Sequence, residues 1–569
     1  MTKMLRALLR PLSCRAWWRS QRPHWTVFQE ALVDPRHMQE RLLLSVLRRN
    51  VASLYGRQYR FQTIRTVQQF QDRVPSVTYE ELSPWIEAIK GGRQGVLTAE
   101  PVLFFEKTSG SVTAAKYIPY TRSLLREFRA AIGAWMGNLA AERPGLIGGR
   151  AYWSISPITQ PKEVTASGLR VGVEGDSGYF GPLERWVVQS MLAVPEVLSQ
   201  VCDVETHRYL TLRFLLEASD LTWISVWNPS FLTLLVRPLR GIEGRLIEDI
   251  HLGTITPPNP LPLHVWRALG SCLVANPRRA KELEDLLRPT GSFPLEGVWP
   301  RLSLISCWTS AEAARSLPEL QALFPHVEIQ GKGLLATEGV VSIPRIGYPG
   351  AALSVTSHFY EFLDLNNGTS RPKLVDALEG GHYYTVLLTT GGGLYRYRLD
   401  DTVLVVGKID NVPLVEFVGK ASNVSDLCGE KLSESFVRAV LEDGLSAFQI
   451  MASFVMLAPE WGQPPSYVMF LRSPDGHTER FAQLVSWVED QLLGHHHYAY
   501  CRQLGQLGPL RGFRIEANAE ESYLRFCQEQ GQKMGTAKPV ALHRSVGWSS
   551  RFPGTFVELG VERAHVGTV

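Results

Sequence analysis

The sequence predicts an α/β protein in two parts, a large N-terminal domain of β-sheets flanked by helices and a smaller C-terminal α+β domain. The chain has 569 residues, more than one compact domain usually contains. Apolar residues make up 45% of it and charged residues 20%, as in typical globular proteins. Between residues 150 and 420, strand-like apolar runs alternate with helix-like segments, which is typical of α/β folds.

The N-terminal part opens with helical patterns. Apolar residues recur at helical spacing in segments 26–60 and 122–140. Thr78, with Glu81 three positions later, predicts a capping box at the start of a helix over 78–90. We therefore expect helices in all three segments.

The central region carries the alternation of strands and helices. Six short apolar runs are predicted as strands: 153–155, 222–226, 302–307, 326–330, 383–389 and 414–418. Three segments among them are predicted as helices: 184–194, 206–217 and 278–287.

A break near Gly419 divides the chain. We expect an N-terminal domain over 1–418, a hinge over 419–423 and a C-terminal domain over 424–569. In the C-terminal part, helices are predicted over 430–441, 479–492 and 520–530, and strands over 450–457, 467–471 and 510–516.

Charge and cysteine usage exclude several classes of protein. The formal net charge is only +4, and we interpret the basic excess near the N-terminus as a solvated helix face, so nothing indicates nucleic-acid binding. Seven scattered cysteines without a CxxC pair indicate a reducing compartment and argue against a disulfide framework or a zinc site. With no secretory signal and no apolar run of the ~18 residues that a membrane span needs, a cytoplasmic protein is expected.

The segment 106–116 is the most informative stretch of the chain. It follows a predicted strand end at Phe104-Phe105 and combines hydroxyl residues, small residues and a terminal lysine. Small side chains let backbone N–H groups approach phosphate oxygens, while hydroxyls donate hydrogen bonds and the lysine supplies charge. The segment is not a Walker A loop, because GxxxxGK[ST] is absent. The alternative is an ordinary polar loop between the strand and the helix over 122–140. The candidate phosphate ligands are Thr108, Ser109, Gly110, Ser111, Thr113 and Lys116.

Three separate motifs resemble those of the adenylate-forming superfamily. Thr108-Ser109-Gly110-Ser111 with Lys116 resembles its phosphate loop, and Leu335-Ala336-Thr337-Glu338-Gly339 resembles its aromatic-x-Ser/Thr-Glu turn. Tyr395-Arg396-Tyr397-Arg398-Leu399-Asp400-Asp401-Thr402-Val403 resembles its Tyr-Arg-x-Gly-Asp motif. Because the motifs also follow the superfamily's order and spacing, the large domain resembles an adenylate-forming domain that binds ATP and an acyl acid.

Shorter features narrow the resemblance to the Gretchen Hagen auxin-responsive family of acyl acid–amido synthetases. They are Val74-Pro75, Tyr79-Glu80 before Pro84, Glu248-Asp249-Ile250 before Gly253-Thr254, Trp299-Pro300-Arg301-Leu302, Phe359-Tyr360-Glu361-Phe362, and Gly531 followed by Lys538-Pro539. The resemblance covers roughly residues 25–555, and segment 332–339 resembles bacterial members more than plant ones.

The resemblance implies a ligase that works in two steps. A small carboxylic acid would attack the α-phosphate of ATP and give an acyl-AMP and pyrophosphate. An amine, in characterised relatives an amino acid, would then take the acyl group and form an amide. ATP and Mg²⁺ are the implied cofactors, and the acid and the amino acid are the implied partners.

The resemblance also implies roles for individual residues. Lys116 and the small residues before it would cradle the phosphates, and Glu338 would hold Mg²⁺, which favours carboxylate and phosphate oxygens. Thr337 would lie near the α-phosphate or the acyl carboxylate. Asp401 would accept hydrogen bonds from both ribose hydroxyls. Arg398 would reach a phosphate or, alternatively, orient its loop through an ion pair.

A mobile C-terminal domain is a further implication of the resemblance. In the superfamily this domain swings about a hinge, here at Lys420, and delivers a lysine to the site. Lys538 is the expected cation, with Lys533 as the alternative, and it would complete a catalytic set with Lys116 and Glu338. Closure would exclude the water that hydrolyses an acyl-adenylate.

The acyl-acid pocket is expected between the helix after the phosphate loop and the strand near residue 153. Its candidate lining residues are Leu124, Leu125, Phe128, Trp153 and Ser154. The alternative for these side chains is ordinary core packing, since apolar residues at helical spacing usually belong to the core.

Two residues depart from the family pattern. Thr113 and Asp400 stand where the family has glycine, a residue that permits a positive φ or a close approach of ligand. Asp400 also adds negative charge beside Asp401. These departures leave open a catalytically degenerate nucleotide- or acyl-binding protein. An acyl-CoA-type ligase also stays open, because the acceptor cannot be read from the sequence.

Overall fold

The computed structural model describes residues 3–108, 116–154, 163–172, 182–237, 241–289, 291–366, 371–420, 424–473, 478–529 and 540–557. These residues form two compact units, one reaching residue 420 and the other beginning at residue 424. The fold is mixed α/β, as the sequence predicts. Of the helices in these ranges, none has both the length and the apolar character of a bilayer span.

Helices make up much of the first unit. They are α1 (Lys3–Ala31), α2 (Pro35–Arg49), α3 (Leu54–Gln58), α4 (Val67–Arg73), α5 (Tyr79–Lys90), α6 (Arg122–Glu142), α7 (Pro182–Met191), α8 (Val204–Glu217), α9 (Pro229–Val236), α10 (Glu243–Leu252), α11 (Leu263–Gly270), α12 (Pro277–Leu287), α13 (Leu295–Val298) and α14 (Leu317–Leu323). Helix α5 begins with the predicted capping box, in which the Thr78 N–H donates to Glu81 at 2.7 Å. Helix α6 begins at Arg122 because the Thr121 hydroxyl accepts a hydrogen bond from the Leu124 N–H.

Among the described residues, the strands of the first unit form one six-stranded sheet, two four-stranded sheets and one two-stranded pairing. They are β1 (Phe104–Thr108), β2 (Lys116–Tyr120), β3 (Arg150–Trp153), β4 (Glu163–Val164), β5 (Arg170–Val171), β6 (Leu221–Ser225), β7 (Leu304–Ser306), β8 (Glu328–Gln330), β9 (Leu335–Ala336), β10 (Gly339–Val340), β11 (Ser342–Pro344), β12 (Ala351–Leu353), β13 (Phe359–Asp364), β14 (Tyr383–Thr389), β15 (Tyr397–Ile409) and β16 (Val412–Lys420). An antiparallel sheet has the order β11-β12-β16-β15-β14-β13, and a parallel sheet has the order β3-β6-β7-β8.

The parallel sheet separates two hydrophobic cores. Trp223 and Leu304 belong to one core, whereas their chain neighbours Ile224 and Ile305 belong to the other. Side chains alternate between the faces of a strand, so this division means that both faces of the sheet are covered. Chain segments at the carboxyl ends of these strands are common ligand sites in α/β proteins.

The expectation that a loop leads directly from the strand at Phe104-Phe105 to helix α6 was wrong. Residues 116–120 form strand β2, which pairs antiparallel with β1 and places Thr108 opposite Lys116. The Tyr120 ring stacks on Phe104 at 5.0 Å, a cross-strand aromatic contact that stabilises the pair. The phosphate-loop candidate therefore connects two strands of a hairpin.

The second unit is an α+β arrangement, as the sequence predicts. Its strands are β17 (Val424–Ser425), β18 (Leu432–Ser433), β19 (Phe454–Glu460), β20 (Ser466–Arg472), β21 (Arg511–Ile515) and β22 (Gly554–Val557). Its helices are α15 (Glu434–Ala447), α16 (Thr478–Leu493), α17 (His496–Gln503) and α18 (Ala519–Glu529). Helix α15 begins later than the predicted residue 430, because Ser433 caps it through the Phe436 N–H and the Glu430 carboxylate instead accepts backbone N–H groups of the preceding turn.

Candidate active site

Lys116 is held at the start of β2, opposite the last residue of β1. Its Nζ donates to the Tyr397 hydroxyl at 3.3 Å and lies 5.8 Å from the centroid of the Tyr79 ring. The Tyr79 hydroxyl in turn accepts the Tyr117 N–H at 2.8 Å. Two tyrosines on different elements therefore orient the lysine of the first motif.

The second motif is a tight hairpin with Thr337 and Glu338 as its turn. Strands β9 and β10 pair on either side of these residues. The Tyr120 hydroxyl donates to the Thr337 carbonyl at 2.7 Å, and the Val340 N–H donates to His358 Nε2 at 3.1 Å. These contacts fix the turn, and Glu338 is only 8% exposed at its tip.

Tyr397 connects all three motifs. Its hydroxyl accepts from Lys116 and donates a long hydrogen bond to Glu338 Oε1 at 3.4 Å. Burial and then the Glu338 carboxylate hold the pKa of Tyr397 well above its usual range, so the phenol is protonated at neutral pH and serves as a donor. Lys116 of the first motif, Glu338 of the second and Tyr397 of the third therefore lie together in the folded chain.

A buried ion pair anchors the third motif. The Arg396 guanidinium contacts the Glu361 carboxylate at 3.0 Å and donates to the Val74 carbonyl at 2.6 Å. The backbone on both sides of Tyr397 bonds to Val77, through the Val77 N–H to Arg396 O and the Arg398 N–H to Val77 O. Segments around Val74 and Glu361 that carried the family resemblance therefore support this strand.

The end of the third motif carries the candidate ribose and phosphate ligands. Asp401 is 5% exposed and lies opposite Lys420 in the pairing of β15 with β16. Asp400 has φ +61°, the left-handed conformation for which glycine is favoured, so this position uses the backbone geometry that a glycine would permit. Arg398 is exposed and forms no ion pair with another described residue, and its role stays a prediction.

The acyl-pocket candidates divide by burial. Leu124 is fully buried, and a Cβ on Gly392 would lie 2.8 Å from its Cδ2, which is close core packing. Leu125 and Phe128 are half-buried on α6, and the Phe128 ring lies 5.7 Å from Tyr120. Half-buried Trp153 ends strand β3 of the parallel sheet, and half-buried Ser154 follows it.

Several candidates lie outside the described residues. They are Ser109, Gly110, Ser111, Thr113 and Lys538, together with Lys533 and most of the expected hinge. Lys420, the expected hinge residue, is the last residue of strand β16.

Sequence reasoning missed the tyrosines that link the motifs. Tyr397 stands inside the third motif and Tyr79 inside a quoted family feature, yet neither position showed that its side chain meets Lys116. Tyr120 lies just beyond the first motif. The signal that was available is the presence of tyrosines in or next to the first and third motifs and in the Tyr79-Glu80 feature, since tyrosine is an amphipathic residue suited to orienting a charge.

Comparisons with known proteins show the family to which the chain belongs. Residues 25–329 match the GH3 family N-terminal domain, and residues 351–420 match the GH3 family central domain. The chain is 22% identical to the indole-3-acetic acid-amido synthetase GH3.17 of Arabidopsis thaliana, over 92% of this chain and 93% of that protein. It is 24% identical to the probable indole-3-acetic acid-amido synthetase GH3.12 of Oryza sativa subsp. japonica, over 79% and 81%.

Two solved structures share the fold. The acyl acid amido synthetase AtGH3.15 in complex with 2,4-DB superposes with a TM-score of 0.64 at 20% identity, over 92% of this chain and 94% of that one. A 2-hydroxyisobutyryl-CoA ligase superposes with a TM-score of 0.51 at 11% identity, over 91% and 92%. Since the N-terminal domain match alone spans more than half of the 569 residues, the chain belongs to the GH3 family.

Proposed function

We propose that this GH3-family protein is an ATP-dependent ligase that adenylates a small carboxylic acid and transfers the acyl group to an amino acid. The observation that carries the proposal is the Lys116–Tyr397–Glu338 chain of contacts, in which one residue from each motif meets at 3.3 and 3.4 Å. Such a cluster places a cation and a carboxylate side by side, as the binding of a metal–nucleotide complex requires.

In the first step, a carboxylate oxygen attacks the α-phosphorus and the bond to pyrophosphate breaks. Two anions approach each other, so the barrier falls when fixed positive charge neutralises the phosphate oxygens. Lys116 supplies that charge, and exposed Arg398 reaches the same phosphates. The Tyr397 phenol holds Lys116 in place because its proton is committed to Glu338.

The chemistry of Glu338 fits Mg²⁺, since the buried turn presents a carboxylate oxygen, the ligand type that this ion prefers. When bound, the ion offsets the negative charge of the phosphates. The Asp401 carboxylate binds both ribose hydroxyls and orients the nucleotide. In the second step, the amine attacks the acyl carbon, the amide forms and AMP leaves.

The second unit completes the site in this proposal. It turns about Lys420 and brings Lys538 to the phosphates, which excludes water from the acyl-adenylate. We place the reaction in the cytoplasm, because seven scattered cysteines without a CxxC pair suit a reducing compartment.

Product analysis tests the proposal. The protein is incubated with ATP, Mg²⁺, a panel of carboxylic acids and either the twenty amino acids or coenzyme A, and products are identified by mass spectrometry. An acid–amino acid amide with stoichiometric AMP supports the proposal. A thioester as the sole product would make the protein an acyl-CoA ligase, and ATP binding without turnover of any acid would make it a degenerate binder.

A further inference from the structure

The carboxyl ends of the parallel sheet carry one row of polar side chains. Four residues stand in register on neighbouring strands and form what we call the donor row: Trp153, Ser225, Ser306 and Gln330. Residues in register on parallel strands point to the same face of the sheet. Trp135 on α6 defines that face, because its indole N–H donates to Gln330 Oε1 at 3.0 Å.

Lys332 lies next to the donor row, between the rings of two tryptophans. Lys332 follows Gln330 by two residues, is 5% exposed and donates to Ser225 Oγ at 2.6 Å. Its Nζ lies 5.6 Å from the Trp135 ring and 5.0 Å from the Trp227 ring, within the range of cation–π attraction. Trp227 is 40% exposed, so its ring separates Lys332 from solvent.

Several hydrogen-bond donors of the row remain unused among the described residues. The hydroxyl of fully buried Ser306, the Nε2 of Gln330 and the indole N–H of Trp153 have no partner there. The orientation of Gln330 is fixed by chemistry, because an indole N–H only donates and must face the amide oxygen. Gln330 is 7% exposed, so its amide nitrogen is a buried donor that faces away from Trp135.

Buried donors without acceptors destabilise a fold, so a ligand rich in oxygen acceptors suits this row. The donors without a partner among the described residues are an amide N–H₂, a hydroxyl and an indole N–H. Lys332 adds a positive charge beside them. A carboxylate offers two oxygens with about four acceptor positions and a full negative charge, which this set of donors matches.

The apolar side chains of α6 lead towards the row. Half-buried Leu125, Phe128 and Ile132 recur with Trp135 at spacings of three and four, so they share one face of the helix. This stripe runs about 15 Å from Leu125 to Trp135 at ~1.5 Å per residue. Phe128 near its start adjoins Tyr120, which contacts Thr337 of the second motif, and Trp135 at its end contacts the donor row.

We propose that the donor row and Lys332 bind a second, distal carboxylate of the acid substrate, whose apolar body lies along α6. The inference rests on the proposed function and narrows its substrate class to acids with an apolar body and a carboxylate at each end. Adenylation neutralises only the reacting end, so the distal carboxylate keeps its charge and its contacts through both steps.

Matched acids test the inference. Acid-dependent pyrophosphate release is measured with adipate, suberate and sebacate against hexanoate, octanoate and decanoate. For the best diacid, kcat/KM should exceed that of its monoacid by about 100-fold or more, because a site built for a polar group rejects an analogue that lacks it. Monoacids that match or surpass their diacids would overturn the inference and leave the ligase function standing.

Two substitutions localise the effect. Lys332→Met removes the cation, and Gln330→Glu keeps the bond to Trp135 while placing a repelling carboxylate in the row. Each should lower the diacid-to-monoacid ratio about 10-fold or more. Lys408→Met, at an exposed position of β15, should keep the wild-type ratio. If these two variants changed the KM for the amino acid and left the diacid-to-monoacid ratio unchanged, the donor row would bind the amino acid. That result would contradict the inference.

Binding without turnover separates the two proposals. Suberate should change the intrinsic tryptophan fluorescence of the wild-type protein without ATP, and Gln330→Glu should abolish that change. If this binding holds while no acid releases pyrophosphate, the subsite stands and the ligase function fails. If suberate does not bind and no acid releases pyrophosphate, both the subsite and the ligase function fail.

Discussion

The Tyr397 phenol lies 3.4 Å from Glu338 Oε1 and donates to it, although 59 residues separate the two in the chain. The same hydroxyl accepts from Lys116 at 3.3 Å. Tyr397 is therefore the point at which the second and third motifs meet the lysine of the first. Both contacts are longer than typical hydrogen bonds of their kind, so they leave room for Lys116 and Glu338 to turn towards a bound nucleotide.

Tyr397→Phe should weaken the site without unfolding it. The ring and its packing stay, but Lys116 loses an acceptor and Glu338 loses a donor. We expect about 10-fold lower kcat/KM for acid-dependent pyrophosphate release, because a hydrogen bond to a charged group contributes about 1.5–3 kcal/mol and these two are long. Tyr383→Phe, at a 40% exposed tyrosine of β14, is the control and should retain wild-type activity. Equal rates for both variants would remove Tyr397 from the site.

Lys116→Ala should cut the rate of adenylation by roughly 10²-fold or more, the scale of losing one positioned charged group. Lys107→Ala in the paired strand is the matched control, because its ammonium group contacts Glu163 at 3.0 Å on the exposed side of that hairpin. Single-turnover formation of acyl-AMP measures the step. A similar loss in both variants would indicate damage to the hairpin and not to a phosphate site.

Asp401→Ala should lower adenylation by roughly 10²-fold as well, through weaker binding of the nucleotide. The KM for ATP is expected to rise more than the KM for the acid. Glu416→Ala removes an exposed carboxylate from the neighbouring strand β16 and should leave both values near wild type. An unchanged KM for ATP in Asp401→Ala would contradict the ribose assignment.

Asp400→Gly should raise the thermal stability of the protein. Asp400 holds a left-handed backbone with φ +61°, which costs a residue with a Cβ up to about 1–2 kcal/mol. Glycine relieves this strain but adds freedom to the unfolded chain, so a net gain of about 1 kcal/mol or less is expected. Asp400→Ala removes the charge and keeps the backbone strain, so this variant should not be more stable than the wild-type protein. Calorimetry of the three proteins measures the order of their Tm values.

Local patterns predicted the elements near the site well, and the contacts between them poorly. The capping box of Thr78 and Glu81 and the strand over 383–389 were recognised because neighbouring residues alone determine them. Strand β2 was missed, since Pro119 weakens its pattern and its stability comes from pairing with β1 and from the stack of Tyr120 on Phe104.

The site was predicted as three motifs but not as a set of contacts. Order along the chain indicated Lys116, Glu338 and Asp401, while only the folded chain shows that Tyr397 joins the first two. Lys332 was read as part of a family segment with no role of its own. Its relation to Ser225 depends on strands β6 and β8, which are more than 100 residues apart in the chain and flank β7 in one sheet, an arrangement that no local pattern encodes.

Acid-dependent exchange of labelled pyrophosphate into ATP tests the central claim most directly, because it requires only the adenylation step and no amine acceptor. The three-motif site predicts exchange by the wild-type protein with at least one acid of the panel, and a loss of roughly 10²-fold in both Lys116→Ala and Asp401→Ala. Exchange at the wild-type rate in both variants, or no exchange with any acid, would contradict it.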